Sequence, residues 1–307
     1  MIAQPNIIKD LGRVVFWYPV RWIIQLLPLS IIYMLGSCLG SIDFLISGHR
    51  RIQTMKKNVT LALGLPAPDI DAIVKENLRN HFRNNLEFIQ YPSITPSNLS
   101  HYVSIRGREI LDRELAKNRG IVLLTGHFGA KQMLQVALGH SGYTVNQLIY
   151  HMSQGELTHI QKKVSQKHRK RIEEKIPTNF IQADGFPRKL YRCLKKREIL
   201  IIAGDGNGIK ERMGSSYHPF PYLGQRMLFP TAPISLAMRT GASVVPAFVV
   251  RDKYHQQIII EEPINLNIDY SEAVQAYAQI LEKYVTEFPH LWEFWEEFRP
   301  GFLLTDD

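Results

Sequence analysis

One histidine in this sequence stands where an ionisable side chain could act as a base. The stretch LLTGHFGAKQ (123–132) begins as an apolar strand, breaks at Gly126 and presents His127 where the chain would turn into a helix. Ligand sites of open α/β sheets collect at strand ends of this kind. Because histidine exchanges a proton readily near neutral pH, we predict that His127 is a general base.

The residue that would orient this base is unusual. A catalytic histidine commonly hydrogen-bonds a carboxylate, yet Gln132 stands five residues further on. Its amide could reach back to the ring and accept a hydrogen bond, but it supplies no charge. An amide in place of the carboxylate costs about 10⁴ in kcat in the serine protease case. Three interpretations stay open: a slow enzyme, another carboxylate such as Asp205 in the same role, or a protein that binds without catalysing.

Glycines near both candidate residues suggest close approach of the backbone to a ligand. Gly126 and Gly129 flank the histidine, and the next helix would aim its free N–H groups at an anion. Asp205 ends the strand EILIIAGD (198–205) and opens the turn GDGNG (204–208). This turn either binds an anionic head group or is a simple tight turn. It is not a phosphate-binding P-loop, because no GK[ST] follows.

The charge balance predicts acidic partners. The chain has 37 Lys and Arg against 28 Asp and Glu, a net charge of +9. Anionic lipid, a phosphorylated substrate, an acidic carrier protein and nucleic acid all fit this balance. The basic stretch QKKVSQKHRKRIEEK (161–175) either docks such a partner or is a solvated helix face. No nucleic-acid-binding motif accompanies it, so we do not expect a nucleic-acid partner.

Cysteine and histidine spacing gives no support for a metal site. Cys38 and Cys193 are far apart and form no CxxC pair, and no HExxH occurs. We therefore predict neither a disulfide framework nor a bound metal.

An apolar segment lies near the N-terminus. Residues 22–42, WIIQLLPLSIIYMLGSCLGSI, carry no charge, and as one helix they would span about 31 Å, close to the thickness of a bilayer core. Aromatic residues precede the segment and a basic cluster follows it, which favours a cytoplasmic location for the rest. We predict a membrane anchor at 1–47, inserted as a spanning or re-entrant segment, and a catalytic domain at 48–307. An in-plane anchor and a buried hairpin are the alternatives, because Pro28, Gly36 and Gly40 interrupt the pattern.

Strands and helices alternate along the remainder. Apolar runs predict strands at 121–126, 143–150, 198–205, 242–252 and 256–264, with helical patterns between most of them. This order predicts a three-layer α/β fold with a mostly parallel sheet flanked by helices. We expect Asp69 to cap one helix and Gly120 to end another. The apolar spacing of Leu291, Trp292, Trp295 and Phe298 predicts a terminal helix packed on the core, or else at a membrane interface.

These blocks together resemble the lysophospholipid acyltransferase superfamily, specifically the late, or secondary, lipid A acyltransferases. That family has a histidine followed by Asp or Glu inside a stretch like GHFGNWE, where this chain has GHFGAKQ. ILIIAGDGNG is similar to a family strand that ends in an aspartate. PFPYLGQRMLFPTAPISLAMRTGASVVPAFVVRD is similar to a block of glycine and proline, a helix and a strand. With the apolar segment and RRIQTMKKNVTLAL after it, the resemblance covers essentially the whole chain.

The resemblance implies acyl transfer without a metal or other cofactor. The histidine would take a proton from an acceptor hydroxyl, which attacks an acyl thioester, and backbone N–H groups or a cation would hold the oxyanion. The catalytic residues implied are His127, Gln132 and Asp205. The implied substrate-binding residues, among which Arg169 and Arg171 compete for one role, are Gly126, Phe128, Gly129, Arg169, Arg171, Arg226, Pro230 and Thr231.

The resemblance also implies the partners and the location. The donor would be acyl carrier protein or acyl-CoA, and the acceptor a glycolipid or lysolipid. The protein would sit at the bacterial inner membrane with its catalytic domain on the cytoplasmic face. Since Gln132 departs from the family pattern, a catalytically weak or silent lipid-binding protein on the same fold is the alternative.

Overall fold

The fold is built on one large, mostly parallel β-sheet. A computed structural model describes residues 7–46, 49–149, 158–182, 188–205 and 216–298. The strands within these residues are β1 (Val103–Arg106), β2 (Ile121–Thr125), β3 (Val145–Ile149), β4 (Asn179–Gln182), β5 (Ile199–Ala203), β6 (Tyr217–Tyr222), β7 (Gln225–Pro230), β8 (Ser243–Asp252) and β9 (His255–Ile260). Seven of them form a sheet in the order β1-β9-β8-β2-β5-β3-β4, and β6 pairs with β7 in a separate hairpin. Neighbours in the large sheet run parallel except β8 and β9.

Strand β2 shows why the fold has three layers. All five of its residues are buried, as expected for a parallel strand covered on both faces. Ile121 and Leu123 pack into one apolar cluster, whereas Val122 and Leu124 pack into another. Side chains alternate across a strand, so the sheet has a core on each side. The predicted three-layer α/β fold is confirmed.

Helices cover both faces and form the N-terminal region. They are α1 (Ile7–Val15), α2 (Arg21–Leu26), α3 (Leu29–Ile46), α4 (His49–Leu63), α5 (Ala67–Phe88), α6 (Arg108–Ala116), α7 (Gln132–His140), α8 (Lys167–Glu173), α9 (Arg188–Lys195), α10 (Ala232–Thr240) and α11 (Tyr270–Glu287). Short π-helical turns at 16–20 and 161–166 lead into α2 and α8. The basic stretch at 161–175 is therefore helical along most of its length, as its pattern predicts.

Two predicted helix boundaries are wrong. Helix α5 begins at Ala67 after Pro66, and the Asp69 side chain makes no capping hydrogen bond. Proline fits the first turn because it lacks the N–H that would otherwise be unpaired there. Helix α6 ends at Ala116, and Asn118 just beyond it adopts a left-handed backbone with φ of 61°. Gly120 instead lies against the backbone of Leu194, where a Cβ would come within 2.4 Å of the carbonyl oxygen.

The apolar N-terminal segment is broken rather than continuous. Helix α2 ends at Leu27, whose backbone is extended, and α3 begins after Pro28. Proline removes an N–H donor and disfavours helix at the residue before it. Among the helices that the structure describes, α3 is the one long and apolar enough to cross a membrane by length and composition. Because 22% of that helix is buried, the interpretation as a buried core hairpin does not fit.

Helix α3 packs closely along α5. A Cβ on Gly40 would lie 2.4 Å from the Cα of Arg79, and one on Gly36 would lie 2.8 Å from the Cα of Arg83. The two arginines also donate hydrogen bonds to serines of α3, at 2.9 and 2.8 Å. The glycines thus permit a contact between helix backbones that a larger residue would prevent.

Candidate active site

His127 and Asp205 meet at one edge of the sheet. Strands β2 and β5 are parallel neighbours with Thr125 opposite Ala203, so the residues two positions beyond each strand come together. His127 Nδ1 lies 2.7 Å from Asp205 Oδ1. The backbone N–H of His127 donates to Asp205 Oδ2 at 2.6 Å. The carboxylate therefore holds both the ring and the main chain of the histidine.

This contact fixes which ring nitrogen can act as a base. The side chain of Asp205 is fully buried, whereas that of His127 is 23% exposed. An ionised carboxylate only accepts hydrogen bonds, so the shared proton belongs to Nδ1 and the lone pair to Nε2. His127 is thereby held in the tautomer that a general base needs.

A segment near the C-terminus completes the surroundings of the pair. We call residues 288–298 the C-terminal strap. Trp292 Nε1 donates to Asp205 Oδ2 at 3.3 Å, the third hydrogen bond that this carboxylate accepts from described residues. Glu293 N–H donates to the carbonyl of His127, and Gly129 N–H donates to that of Leu291, both at 2.8 Å. The strap thus pairs with the turn at residues 127–129 like a short antiparallel strand.

The strap also places an aromatic ring against the imidazole. Phe294 stacks on His127 with ring centroids 4.2 Å apart and an angle of 26° between the planes. The ring restricts rotation of the histidine and shields one of its faces from water. Leu291, Trp292, Trp295 and Phe298 are all buried, so the predicted core packing is confirmed. The predicted helix is wrong, because the strap forms only 3₁₀ turns at 289–291 and 293–295.

The glycines of the turn are explained by packing. A Cβ on Gly126 would lie 3.2 Å from Asp205 Oδ2, so this glycine leaves room for the carboxylate. Gly129 has φ of +57°, and a Cβ there would lie 1.9 Å from the carbonyl oxygen of Val249. Its N–H is already bonded to the strap. Phe128 is fully buried among Phe248 and other aromatic rings, so its side chain is part of the core.

Gln132 lies beside the histidine but does not orient it. It is the first residue of α7 and lines a cleft of about 420 Å³ that also contains His127. No hydrogen bond joins the Gln132 amide to the imidazole, although the structure describes both residues. Asp205 occupies the position next to Nδ1 that the amide was expected to take. With a glutamine at 132, the histidine therefore still has a carboxylate partner, which is Asp205.

An ion pair lies next to Gln132. Lys131 Nζ contacts Glu293 Oε2 of the strap. Burial raises the pKa of the Glu293 carboxyl, but the positive charge of Lys131 and its hydrogen bond outweigh burial, so this pKa is lowered. Both members of the pair line a second cavity of about 240 Å³ next to Gln132. The candidate site therefore contains a lysine and a carboxylate that the sequence patterns did not single out.

Of the two competing arginines, Arg169 is the one in the cleft. It lines both cavities beside Gln132. Its Nε donates to Glu173 Oε1 at 2.9 Å, and its guanidinium lies 5.2 Å from the ring of Phe88. Arg171 is exposed on the same helix and lines neither cavity.

The three remaining predicted residues lie on the hairpin β6–β7 and just after it. Arg226 is exposed and pairs across the hairpin with Pro221. Pro230 ends β7, and the buried Thr231 donates through its hydroxyl to the carbonyl of Ser216 at 3.0 Å. None of the three lines the cleft with His127. Their substrate-binding role stays a prediction, as does that of the glycine turn, which from residue 206 onward lies outside the described residues.

The side chains that the structure describes give no support for a metal site. Within the described ranges, no three His, Cys, Asp or Glu side chains come together in a way that could hold a metal ion. The chemistry that the arrangement offers is proton transfer by a carboxylate-oriented histidine at the mouth of a cleft.

The comparison with known proteins assigns the chain to a family. No curated protein matches the chain. Residues 11–297, which include His127, Asp205 and nearly all of the strap, match the family model described as bacterial lipid A biosynthesis acyltransferase. A match of this extent covers the sheet, the site and most of the N-terminal helices, and the chain therefore belongs to the bacterial lipid A biosynthesis acyltransferase family.

Proposed function

We propose that this protein moves a fatty acyl chain from an acyl thioester to a hydroxyl or amine of a lipid A-like glycolipid or a lysolipid. The observation that carries the proposal is the 2.7 Å contact between His127 Nδ1 and Asp205 Oδ1, beside a cleft that His127 lines. Family membership supports acyl transfer as the reaction class. The donor, the acceptor and the role of each residue are parts of the proposal.

The proposed reaction is a direct transfer with His127 as general base. Nε2 takes the proton of the acceptor hydroxyl while its oxygen attacks the thioester carbonyl carbon. The tetrahedral intermediate then collapses, the carbon–sulfur bond breaks, and the thiolate takes the proton from the imidazolium. An ester and a free thiol result, and no oxidant or reductant is required. Asp205 stabilises the imidazolium while it carries the proton.

Negative charge on the carbonyl oxygen needs a partner in the same cleft. Two cations, Arg169 and Lys131, line the cleft together with His127. Charged donors placed where an oxyanion develops contribute strongly in sites that exclude water. We assign this role to Arg169, because its pair with Glu173 uses Nε and leaves its two terminal NH₂ groups to donate, whereas the single ammonium group of Lys131 is paired with Glu293.

The membrane is the proposed source of the acceptor. Apolar side chains of the N-terminal helices are exposed, among them Leu26 at 86% and Leu45 at 79%. Helix α3 lies along the charged helix α5, with Arg79 and Arg83 against its serines. Burying those arginines in hydrocarbon would be costly, so we favour helices that lie at the membrane surface. The proposed location is the cytoplasmic face of the inner membrane, where acyl carrier protein or acyl-CoA would supply the chain.

Transfer of a labelled acyl chain tests the proposal. Purified protein in detergent is given radiolabelled acyl carrier protein or acyl-CoA together with a lipid A precursor or a lysolipid. We expect labelled product with the wild type and a loss of at least about 10³-fold with His127→Ala. His101→Ala is the matched control, since His101 is exposed in a 3₁₀ turn away from the cleft.

Two results would contradict the proposal. Equal transfer by wild type and His127→Ala would remove the histidine from the mechanism. Lipid binding without transfer from any donor, in the wild type as in the variant, would identify a lipid-binding protein on this fold.

A further inference from the structure

A further cavity lies between α3, α5 and the β8–β9 hairpin. We call it the α3–α5 cavity; it has a volume of about 450 Å³ and is lined by residues of α3, α5, β8 and the β8–β9 turn, and by His290 of the strap. His127, Gln132 and Arg169 do not line it. The proposed acyl transfer gives it no role, so its chemistry has to be explained separately.

Basic side chains dominate the lining. Arg83, Arg251 and Lys253 face the cavity, with Glu76 as the lining carboxylate. Glu76 is shared between Arg83 at 2.5 Å and Arg79 at 3.2 Å. One carboxylate therefore offsets two guanidinium groups, which leaves positive charge at the cavity wall.

Lys253 adds charge that no described residue neutralises. It stands at the tip of the β8–β9 hairpin with φ of 52° and is exposed. No ion pair or hydrogen bond involves its side chain within the part of the chain that the structure describes. An unpaired lysine at the rim of a basic cavity can reach an anion without first breaking another contact.

Arg251 carries unused donors inside the protein. Its side chain is 5% exposed and lies 3.1 Å from Glu87 Oε2. Its Nε and Nη1 nevertheless have no hydrogen-bond partner among the described residues. A buried guanidinium with two unpaired N–H groups costs free energy unless a further acceptor is supplied. Arg251 lines the α3–α5 cavity, so that acceptor can come from a molecule bound there.

The opening of the cavity adjoins an exposed apolar surface. Met34 of α3 is 61% exposed and Tyr254 of the hairpin is 55% exposed, and both line the cavity. Tyr254 also stacks on Tyr33 at 6.0 Å. Leu35 and Leu39 continue the exposed apolar face along α3. A molecule that fits this surface has an anionic group for the cavity and apolar chains for the helix.

We propose that the α3–α5 cavity binds the phosphate-bearing headgroup of an anionic membrane lipid, whose acyl chains lie along α3. Arg83 and Lys253 contact the phosphate, and Arg251 donates from beneath. Helix α3 is thereby anchored at a fixed depth beside α5. The binding does not depend on acyl transfer, because none of these residues lines the His127 cleft.

Lipid binding to the full-length protein tests this directly. Native mass spectrometry of detergent-solubilised protein measures the bound fraction of phosphatidylglycerol and of phosphatidylcholine at equal concentrations. We expect phosphatidylglycerol to be preferred, and Lys253→Asn to weaken its binding about five- to tenfold. Asparagine tolerates the left-handed backbone at this position, so the hairpin should stay folded.

A closely matched control is available. Arg197 is also basic, exposed and left-handed, with φ of 65°, but it does not line the cavity. Arg197→Asn should bind phosphatidylglycerol like the wild type. Equal binding of the two lipids, or unchanged binding in Lys253→Asn, would overturn the proposal.

A further arm distinguishes a lipid from free phosphate. Inorganic phosphate or glycerol phosphate at millimolar concentration should displace little phosphatidylglycerol, because neither can use the apolar face of α3. Full displacement by inorganic phosphate would show that the cavity takes soluble anions, and the lipid assignment would then be wrong.

Discussion

Replacing Asp205 by asparagine is the sharpest test of the histidine–aspartate pair. The exchange keeps the size of the side chain and removes its charge. In the wild type the carboxylate accepts hydrogen bonds from His127 Nδ1, from His127 N–H and from Trp292 Nε1. An asparagine has one oxygen and one NH₂ group, so it cannot accept from all three donors.

Either orientation of the new amide damages the base. If the amide oxygen accepts from His127 Nδ1, the amide NH₂ group faces the His127 N–H and Trp292 Nε1, which are also donors. If it flips, its NH₂ faces Nδ1, which must then give up its proton, and Nε2 becomes protonated and loses its basic lone pair. In both cases the imidazolium also loses its counter-charge, which at about 4 Å and an effective dielectric of about 20 contributes roughly 4 kcal/mol.

We therefore expect Asp205→Asn to lower kcat by about 10³- to 10⁴-fold, since each 1.36 kcal/mol changes a rate tenfold. The KM values should change much less, because the buried Asp205 side chain does not contact the cleft. Steady-state transfer of labelled acyl chain measures both quantities, and circular dichroism melting shows whether the variant folds.

Asp112→Asn provides the comparison. Asp112 is exposed and accepts a hydrogen bond from Tyr143 at 2.6 Å, away from the cleft, so this variant should retain full activity. If folded Asp205→Asn kept more than about a tenth of the wild-type kcat, the carboxylate would not be orienting the base, and the assignment built on the 2.7 Å contact would fail.

Three further predictions follow from the site and its surroundings. Gln132→Glu should change kcat less than about tenfold, since a carboxylate already holds the histidine; a gain of 10³-fold in the transfer assay would show that the acid at 132 is the missing partner. Gly129→Ala should lower the free energy of unfolding by about 2–4 kcal/mol in urea titrations, because of its positive φ and the Val249 carbonyl 1.9 Å from the new Cβ; an unchanged midpoint would contradict this. The pKa of Glu293 is lowered from about 4.5 in the folded state, so its contribution to stability is present above that pH and is lost as the pH falls. Lys131→Met should reduce this loss of stability as the pH falls below about 4.5 in melting curves, and an identical fall in melting temperature with acid in the variant would refute the role of the ion pair.

The sheet and the positions of His127 and Asp205 at its edge were predictable, because both follow from local patterns. Apolar runs bounded by glycine mark β2 and β5, and parallel strands bring their carboxyl ends to one edge. His127 and Asp205 each stand two residues beyond such a strand, as the register of Thr125 with Ala203 requires. The sequence alone left open which acid serves the histidine, since it does not say which strands are neighbours.

The strap was not predictable from its own residues. Leu291, Trp292, Trp295 and Phe298 have helical spacing, but their conformation is set by backbone bonds to the turn at 127–129 and by burial against it. Tertiary contacts of this kind override local spacing. The tryptophan-rich composition did signal a buried role, although not one beside His127.

The contact between α3 and α5 could not be predicted from the sequence for a related reason. Gly36 and Gly40 read as interruptions of an apolar span, whereas in the structure they allow the backbone of α5 to approach. A glycine pair four residues apart marks a helix face that packs closely, but the sequence does not name the partner helix.

The strap also sets the order in which the site is completed during synthesis. Trp292 is incorporated 87 residues after Asp205, so a nascent chain that already contains both members of the catalytic pair still lacks the indole and the ring that hold them. The apolar helices at the other end are translated first and can meet the membrane before the strap exists. Under the proposed function, the chain would therefore meet the membrane before Trp292 and Phe294 hold the base in place, and docking of the strap would be the last step in building the site.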